Sequence, residues 1–210
     1  MPKDDQSIMV VPREALFAMC YFQGFLPHSE KDYLSSLLTN SFFHQRGKAE
    51  KNSSLKQPIG YCVIANTEQK KIFAYRRSEK KKHYNEDRLR GRWSIGIGGH
   101  IDHEDSSSGD NPLISSVLRE IQEEVKINGA IKSITPLGYI NDDSDDVGKV
   151  HFGVLFLVDT NATRVEPNGV ECDFGELMPM PEALDKFRSR ECCLENWSCI
   201  AFSVVSRILR

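Results

Sequence analysis

The chain has 210 residues, of which 40% are hydrophobic and 27% charged, so it is long enough for one buried core and has the balance of a globular protein. Its formal net charge is -3, with 27 Lys and Arg against 30 Asp and Glu. Since no basic excess exists to displace counterions, stable nucleic-acid binding is not expected, whereas small phosphorylated ligands are compatible with a bound metal ion.

Membrane and secretion signals are not visible in the chain. No apolar run approaches the roughly 20 residues that cross a bilayer, and residues 1–7 are mostly polar and charged. The six cysteines form no Cys-x-x-Cys pair, so a zinc knuckle is not indicated. We expect a cytoplasmic protein with free thiols and no membrane partner, and leave a homodimer open.

Residues 1–57 are predicted to form an N-terminal extension with short helices, one of them over residues 32–38. Within it, residues 47–57 are polar and rich in Lys and Ser, with little to bury. They are therefore predicted as a loop that leads into the core.

The core is predicted over residues 58–190, where short apolar runs dominate. These runs predict strands at 61–65, 71–75, 93–99, 131–140, 150–158 and 176–180. Helices are predicted at 113–126, 181–187 and 195–209, with residues 191–210 forming a C-terminal helix packed on the core. Strands and helices in this order predict the α/β class, as an α/β/α sandwich with a mixed sheet.

The helix predicted at 113–126 carries the main chemical signal. Its apolar stripe consists of Ile114, Val117, Leu118, Ile121 and Val125. Glu120, Glu123 and Glu124 are related by i, i+3 and i+4, so their carboxylates emerge together on a neighbouring face. Their mutual repulsion would be offset by a hard divalent cation such as Mg²⁺ or Mn²⁺. The alternative is a solvated acidic face that pairs weakly with Arg119 and Lys126.

The surroundings of these glutamates resemble the Nudix box. The segment Arg119-Glu120-Ile121-Gln122-Glu123-Glu124 is similar to the Arg-Glu-hydrophobic-x-Glu-Glu core of that motif, and Gly98-Gly99-His100-Ile101 is similar to the glycine turn that begins it. The resemblance covers about residues 61–127. It implies a phosphoesterase that hydrolyses a diphosphate linkage in a small molecule, notably a nucleoside diphosphate joined to another moiety.

The resemblance also implies roles in metal binding and catalysis. Glu120, Glu123 and Glu124 would ligate Mg²⁺ or Mn²⁺ and activate water, with Glu171 of a later loop as a further ligand. Arg119 belongs to the same catalytic group, where its guanidinium would anchor the loop by forking onto a carboxylate or carbonyls. Weaker candidates for the metal are Glu166, Asp142, Asp143, Asp145 and Asp146.

Substrate contacts are expected from two places. Gly98, Gly99 and His100 form the turn, where glycine permits a close approach of the backbone to phosphate. Arg76 and Arg77 end a strand that would face the site in the family's layout. Either arginine could clamp a phosphate, and exposure on the surface is the alternative.

The chain departs from the Nudix pattern in two places. Gly99 and Arg119 are separated by 20 positions, about six more than in the pattern, and the insertion lies near residues 106–110. Counting back from Arg119 places the first glutamate of the box at Asn111, whereas counting forward from Gly99 places it at Asp105, beside Glu104. Lys126 also replaces the final glycine of the box.

Two alternatives to a hydrolase are left open. An enzyme resembling isopentenyl diphosphate isomerase shares the scaffold and a Gly-Gly-His turn, but it needs a catalytic cysteine, and no motif marks Cys62 as one. A non-catalytic nucleotide-sensing module would keep the same fold. The intact glutamates count against that module, and the altered loop counts for it.

Overall fold

The computed structural model describes residues 2–79, 89–107, 111–168, 172–189 and 192–210. In these ranges a 3-10 helix covers Lys3–Asp5, and the α-helices are Arg13–Leu16 (α1), Tyr33–Asn40 (α2), Arg46–Ala49 (α3), His103–Ser107 (α4), Pro112–Glu124 (α5), Asp146–Val150 (α6), Met180–Arg188 (α7) and Asn196–Ile208 (α8). The strands are Ser7–Pro12 (β1), Gly24–Pro27 (β2), Phe42–Gln45 (β3), Leu55–Asn66 (β4), Lys71–Arg77 (β5), Trp93–Ser94 (β6), Gly96–His100 (β7), Val125–Ile127 (β8), Ile131–Asn141 (β9), His151–Thr160 (β10), Val165–Pro167 (β11) and Cys172–Pro179 (β12).

The predicted α/β class is confirmed, since helices alternate with the strands of a mixed sheet along the chain. Hydrogen-bonded neighbours in the main sheet follow the order β12-β5-β4-β10-β9-β2. The strands predicted at 61–65 and 71–75 correspond to β4 and β5, and those predicted at 131–140 and 150–158 correspond to β9 and β10. These strands could be predicted because a buried strand needs a nearly continuous apolar run.

The N-terminal segment holds more strand than its sequence suggests. The helix predicted at 32–38 corresponds to α2, whose first turn is capped by the side chain of Asp32. The loop predicted over residues 47–57 is confirmed only for residues 50–54, because α3 ends at Ala49 and β4 begins at Leu55; its two ends were predicted wrongly. Lys56 and Gln57 are fully buried in β4. Polar composition predicts exposure only where no buried partner is available.

The described residues cluster into two compact units. The first consists of Met1–Tyr61, Gly98–Arg119 and Pro136–Phe156. In this unit β1 pairs with β3 and with the start of β4, and β2 pairs with β9. Part of its core is a cluster of aromatic rings in edge-to-face and tilted contact, formed by Phe17, Phe22, Tyr33, Tyr139 and Phe152.

Lys56 connects the N-terminal segment to the acidic loop of the first unit. Its ammonium group donates to Asp143 Oδ1 at 2.7 Å, to the Gly148 carbonyl at 2.8 Å and to the His151 carbonyl at 3.0 Å. Arg13 binds the other carboxylate oxygen of Asp143. All three ammonium donors are therefore used, which is what a fully buried lysine requires.

Hydrogen bonds within the loop and from Gln23 hold the acidic loop between β9 and β10 in place. Asp142 accepts from Gln23, Asp145 caps α6 through the Gly148 amide, and Asp146 pairs with Lys149. Together with the Lys56 contact, these bonds give the four aspartates structural partners. Their proposed part in metal ligation is not supported by this arrangement.

The second unit consists of Cys62–Ile97, Glu120–Thr135 and Leu157–Arg210. Here β12 pairs with β5, the far end of β4 also pairs with β5, and β8 pairs with β11. Trp93 packs edge-on against Phe174 and Phe187. None of the helices in the described ranges combines the length and hydrophobicity that a bilayer-spanning segment requires.

Candidate active site

Helix α5 begins next to the inserted loop and ends with the acidic turn. Asn111 caps its start, since the Asn111 side chain accepts a hydrogen bond from the Leu113 amide at 3.0 Å. Proline at the first helical position suits the same end. The position obtained by counting back from Arg119 is therefore a helix cap.

The buried face of α5 is rotated from the predicted stripe. Leu113, Val117 and Ile121 are buried as expected for apolar residues three to four apart, but Leu118 is 37% exposed. Glu120 is only 9% exposed and so belongs to the buried face. The sequence pattern missed this because periodicity assigns every apolar residue to the buried stripe and places the carboxylates on a neighbouring face.

The three glutamates occupy the end of α5 that is electrostatically least suited to them. The carbonyl end of a helix carries partial negative charge, which disfavours anions by about 0.3–1 kcal/mol each. No basic residue lies in this last turn, and no acidic residue lies in the first turn, where it would be stabilised. Glu123 is exposed and Glu124 half-buried. Their negative charge is thus concentrated where the helix itself opposes it.

The negative charges of two of these glutamates affect the pKa of the Cys62 thiol. Burial raises the pKa of the fully buried Cys62 thiol, and the negative charges of Glu124 and Glu120 raise it further. Glu124 also contributes to the raised pKa of Tyr75, after burial as the main cause. Glu120 and Glu124 therefore lie close enough to the strands of their own unit for their charges to affect groups there.

Asn168 holds the end of the helix. Its backbone amide donates to the Glu124 carbonyl at 2.6 Å, and its side chain donates to the Glu123 carbonyl at 3.1 Å. Both carbonyls would otherwise be among the unpaired groups of a helix end. Sequence reasoning did not identify Asn168, because no local pattern connects it to α5.

Arg119 makes the contacts of a loop anchor. Its Nε and Nη2 donate to the two carboxylate oxygens of Asp105 at 3.0 and 2.9 Å, and Nη2 also donates to the His100 carbonyl at 2.9 Å. The Asp105 side chain is 2% exposed, and its Oδ2 also accepts from the Asp102 amide. Asp105, the residue reached by counting forward from Gly99, is therefore the carboxylate that binds Arg119, whereas Glu104 is exposed.

Replacing Asp105 with Ala is expected to lower the free energy of unfolding by about 2 kcal/mol, because charge-assisted hydrogen bonds to a buried group are lost. Hydrolysis should fall with it, since the loop that leads to the acidic helix loses its anchor. Urea unfolding and steady-state kinetics measure the two effects. Glu104→Ala is the matched control, and an Asp105 variant as stable as that control would contradict the anchoring role.

The glycine turn is shaped by a close backbone contact. A side chain at Gly98 would place its Cβ 2.4 Å from the Gly60 carbonyl oxygen, so only glycine fits there. Gly99 follows in the same strand, β7, which ends at His100. His100 Nε2 lies 2.7 Å from Gln57 Oε1, and the ring is largely buried. The structure thus assigns His100 side-chain partners within its own unit.

Arg76 and Arg77 differ in their surroundings. Arg77 forms a largely buried ion pair with Glu195. Arg76 is 40% exposed, with Nη1 3.4 Å from Glu79 Oε1 and Nη2 4.0 Å from Asp173 Oδ2. Of the two, Arg76 is the more accessible cation for a substrate phosphate.

Some of the remaining predicted features lie outside the described residues, and others lie in strands β8 and β11. Glu171 and residues 108–110 of the insertion lie outside the described residues. Lys126 lies within β8, opposite Glu166 of β11, where extended backbone needs no glycine. Glu166 in turn accepts a hydrogen bond from Arg164 at 2.5 Å, on the surface.

Known proteins resemble this chain over most of its length. A family model described as NUDIX domain matches residues 56–192. Protein YmaB of Bacillus subtilis (strain 168) is 34% identical over 208 residues, covering 94% of this chain and 96% of YmaB.

Solved structures of Nudix hydrolases also resemble this chain. The crystal structure of Tm1382, a protein assigned to the Nudix hydrolases, is 27% identical, with a TM-score of 0.78 over 97% of this chain and 100% of Tm1382. A NUDIX hydrolase from Alicyclobacillus acidocaldarius is 17% identical, with a TM-score of 0.50 over 73% of this chain and 90% of that one, which shows a likeness of fold alone.

Proposed function

This chain belongs to the Nudix family and is an enzyme of the pyrophosphohydrolase type, and from that premise we propose that Glu120, Glu123 and Glu124 of α5 carry its chemistry. The reaction is hydrolysis of a nucleoside diphosphate linked to another moiety. The observation that carries the assignment is the grouping of three carboxylates in one helical turn that both their mutual repulsion and the helix dipole oppose.

The donor set suits a hard divalent cation. Mg²⁺ and Mn²⁺ prefer oxygen ligands, and the three glutamates offer only carboxylate oxygen. A bound ion would neutralise charge that develops on the phosphate oxygens and lower the pKa of a water molecule. Glu120, partly sequestered from solvent, and Glu123 and Glu124, more accessible, are the residues that would hold it.

Glu171 is proposed as a further ligand. Asn168, three positions earlier, is hydrogen-bonded to the carbonyls of Glu123 and Glu124. This contact of Asn168 with the acidic turn supports the proposal.

Each protein group has a separate role in the proposed reaction. One carboxylate of the acidic turn accepts a proton from the attacking water, whose oxygen bonds to one phosphorus as the bridging P–O bond breaks. Arg119 keeps the loop in place through Asp105 and the His100 carbonyl. Arg76 is proposed to orient the diphosphate, and the family resemblance gives the backbone of Gly98 and Gly99 a role in substrate binding. His100 and Arg77 are assigned supporting roles, because each already binds another side chain.

The isomerase alternative finds no support at Cys62. That thiol is fully buried, and burial with the nearby glutamates raises its pKa, so it stays protonated at neutral pH. The intact acidic turn likewise favours a working enzyme over a sensing module.

A panel of diphosphate compounds assayed with Mg²⁺ or Mn²⁺ tests the proposed function. Sugar nucleotides, dinucleoside polyphosphates, oxidised nucleotides, capped RNA and coenzyme A cover the substrate classes, with products identified by mass. We expect release of a nucleoside monophosphate from at least one class, loss of turnover with a chelator and recovery when the metal is restored. Turnover that survives chelation would contradict metal dependence, and binding without turnover would contradict hydrolysis.

A further inference from the structure

Three side chains that are far apart in the sequence converge in the first unit. Glu50 follows α3, His100 ends β7 and His151 begins β10, yet one ligand atom from each lies within 4.8 Å of the other two. The two Nε2 atoms of His100 and His151 are 3.2 Å apart, and Glu50 Oε1 is 3.8 Å from His100 Nε2. None of the roles proposed for the acidic turn of α5 uses this cluster.

The orientation of His151 is that of a metal-binding imidazole. Its Nδ1 lies 2.7 Å from the Val147 carbonyl oxygen, which can only accept, so Nδ1 carries the proton. The neutral ring therefore presents the Nε2 lone pair to the cluster. Metal-ligating histidines are commonly held in this way, with the distal N–H on a backbone carbonyl.

The cluster has more lone pairs than protons. A proton on His100 Nε2 would have to serve both Gln57 Oε1, 2.7 Å away, and His151 Nε2. Gln57 itself has no solvent exposure, and within the described part of the chain its Nε2 has no hydrogen-bond partner. A cation at this point would satisfy the lone pairs of the two Nε2 atoms and of Gln57 Oε1, whereas the Gln57 Nε2 donor would need an acceptor such as water.

The distance between the two imidazole nitrogens matches a tetrahedral ion, whereas Glu50 Oε1, 3.8 Å from His100 Nε2, would have to move closer to bind it. Two nitrogens, each about 2.0–2.1 Å from one tetrahedral Zn²⁺, lie about 3.3 Å apart, close to the separation of the two Nε2 atoms. Burial lowers the pKa of both histidines, and each ring is therefore neutral at pH 7, the form that ligates metals. Mg²⁺ fits less well, because it prefers oxygen ligands and retained waters.

We propose that Glu50, His100 and His151 form a second metal site of the Zn²⁺ type, with water or Gln57 Oε1 in the fourth position. Two imidazoles and one carboxylate are an established ligand set for Zn²⁺. The ion would connect the end of α3, the end of the glycine turn and the start of β10, all within one unit. Because it binds the folded state alone, it would stabilise that unit and hold His100 in place.

Elemental analysis after dialysis against a Zn²⁺ buffer tests this site. The wild-type protein is expected to retain about one equivalent of zinc, and the α5 triple variant Glu120→Gln/Glu123→Gln/Glu124→Gln should retain the same amount. His100→Ala/His151→Ala should retain none, whereas His44→Gln, which alters a histidine of β3 outside the cluster, should behave as wild type.

The single substitution Glu50→Gln tests the site even if the double-histidine variant does not fold. Glu50 is 31% exposed, so Glu50→Gln should fold normally but bind zinc at least about tenfold more weakly, as competition with a chelator measures. Zinc should also raise the Tm of the wild-type protein. Wild-type protein without bound zinc, zinc retained by the double-histidine variant, or unchanged affinity in Glu50→Gln would each overturn the proposal.

Discussion

Replacing Glu123 or Glu124 with Gln is expected to reduce Mg²⁺-dependent hydrolysis by about 100-fold or more, while the protein remains folded. The lower bound is the typical contribution of a positioned acid–base group, and loss of a metal ligand adds to it. Gln has nearly the same size and shape as Glu, so packing at the end of α5 is preserved.

The stability of these variants distinguishes a functional carboxylate from a structural one. Each substitution removes a negative charge from the carbonyl end of α5, where the helix dipole disfavours it and neighbouring glutamates repel it. The free energy of unfolding in the absence of metal should therefore stay the same or rise. Activity and stability would then change in opposite directions, as expected for residues retained for catalysis.

Steady-state kinetics with saturating Mg²⁺ and urea unfolding without it measure the two effects. Gln122→Ala is the matched control, because Gln122 lies in the same turn, is exposed and offers no carboxylate. The control should keep wild-type activity. Full activity in a purified Glu123→Gln/Glu124→Gln double variant would refute the assignment of the active site.

Replacing Asp143 with Ala is expected to lower the free energy of unfolding by about 3–5 kcal/mol, the usual cost of leaving one partner of a buried ion pair alone. Lys56, which has no exposed surface, would keep its two carbonyl contacts but lose its counter-ion. Arg13 would lose the same partner. Urea unfolding measures the loss, and Asp146→Ala is the control, since that carboxylate is 97% exposed. Equal stability of the two variants would contradict the role of Asp143.

The same carboxylate predicts how stability depends on pH. Burial alone would raise the pKa of Asp143, but hydrogen bonds from Arg13, Lys56 and Tyr21 outweigh it and hold the pKa well below its usual value. A lowered pKa contributes stability that is complete above the unfolded value of about 4 and is lost as the pH falls below it. The wild type should therefore lose more stability than Asp143→Asn between pH 5 and pH 2, by roughly the linkage of one carboxylate. Parallel pH profiles for the two proteins would contradict this.

Much of the fold could be predicted from the sequence because local patterns reflect local physics. The apolar runs of β4, β5 and β10 indicate strands that are covered on both faces, and the spacing of Glu120, Glu123 and Glu124 follows directly from the helical repeat. These conclusions depend on neighbours in the chain, whereas the need for glycine at Gly98 arises from the Gly60 carbonyl, 38 positions earlier.

Composition failed where a distant partner changes the cost of burial. From the sequence, Lys56 is predicted to be a solvated loop residue. Its ion pair with Asp143, 87 positions later, allows it to be fully buried. The inserted loop left it open whether Glu104 or Asp105 takes the place of the first glutamate of the box, because counting along the chain does not measure distance in space. Only the folded loop places Asp105 against Arg119 and leaves Asn111 to cap the helix.

The residues of the sequence determined the family, the acidic turn and the class of metal that such a turn prefers. Tertiary structure alone decided which carboxylate anchors Arg119, how far Glu120 is buried, and that Glu50, His100 and His151 meet. The physical reason is that periodicity records the backbone geometry of one element, whereas partners drawn from separate elements are set by how those elements pack. No spacing rule connects positions 50, 100 and 151 before the chain has folded.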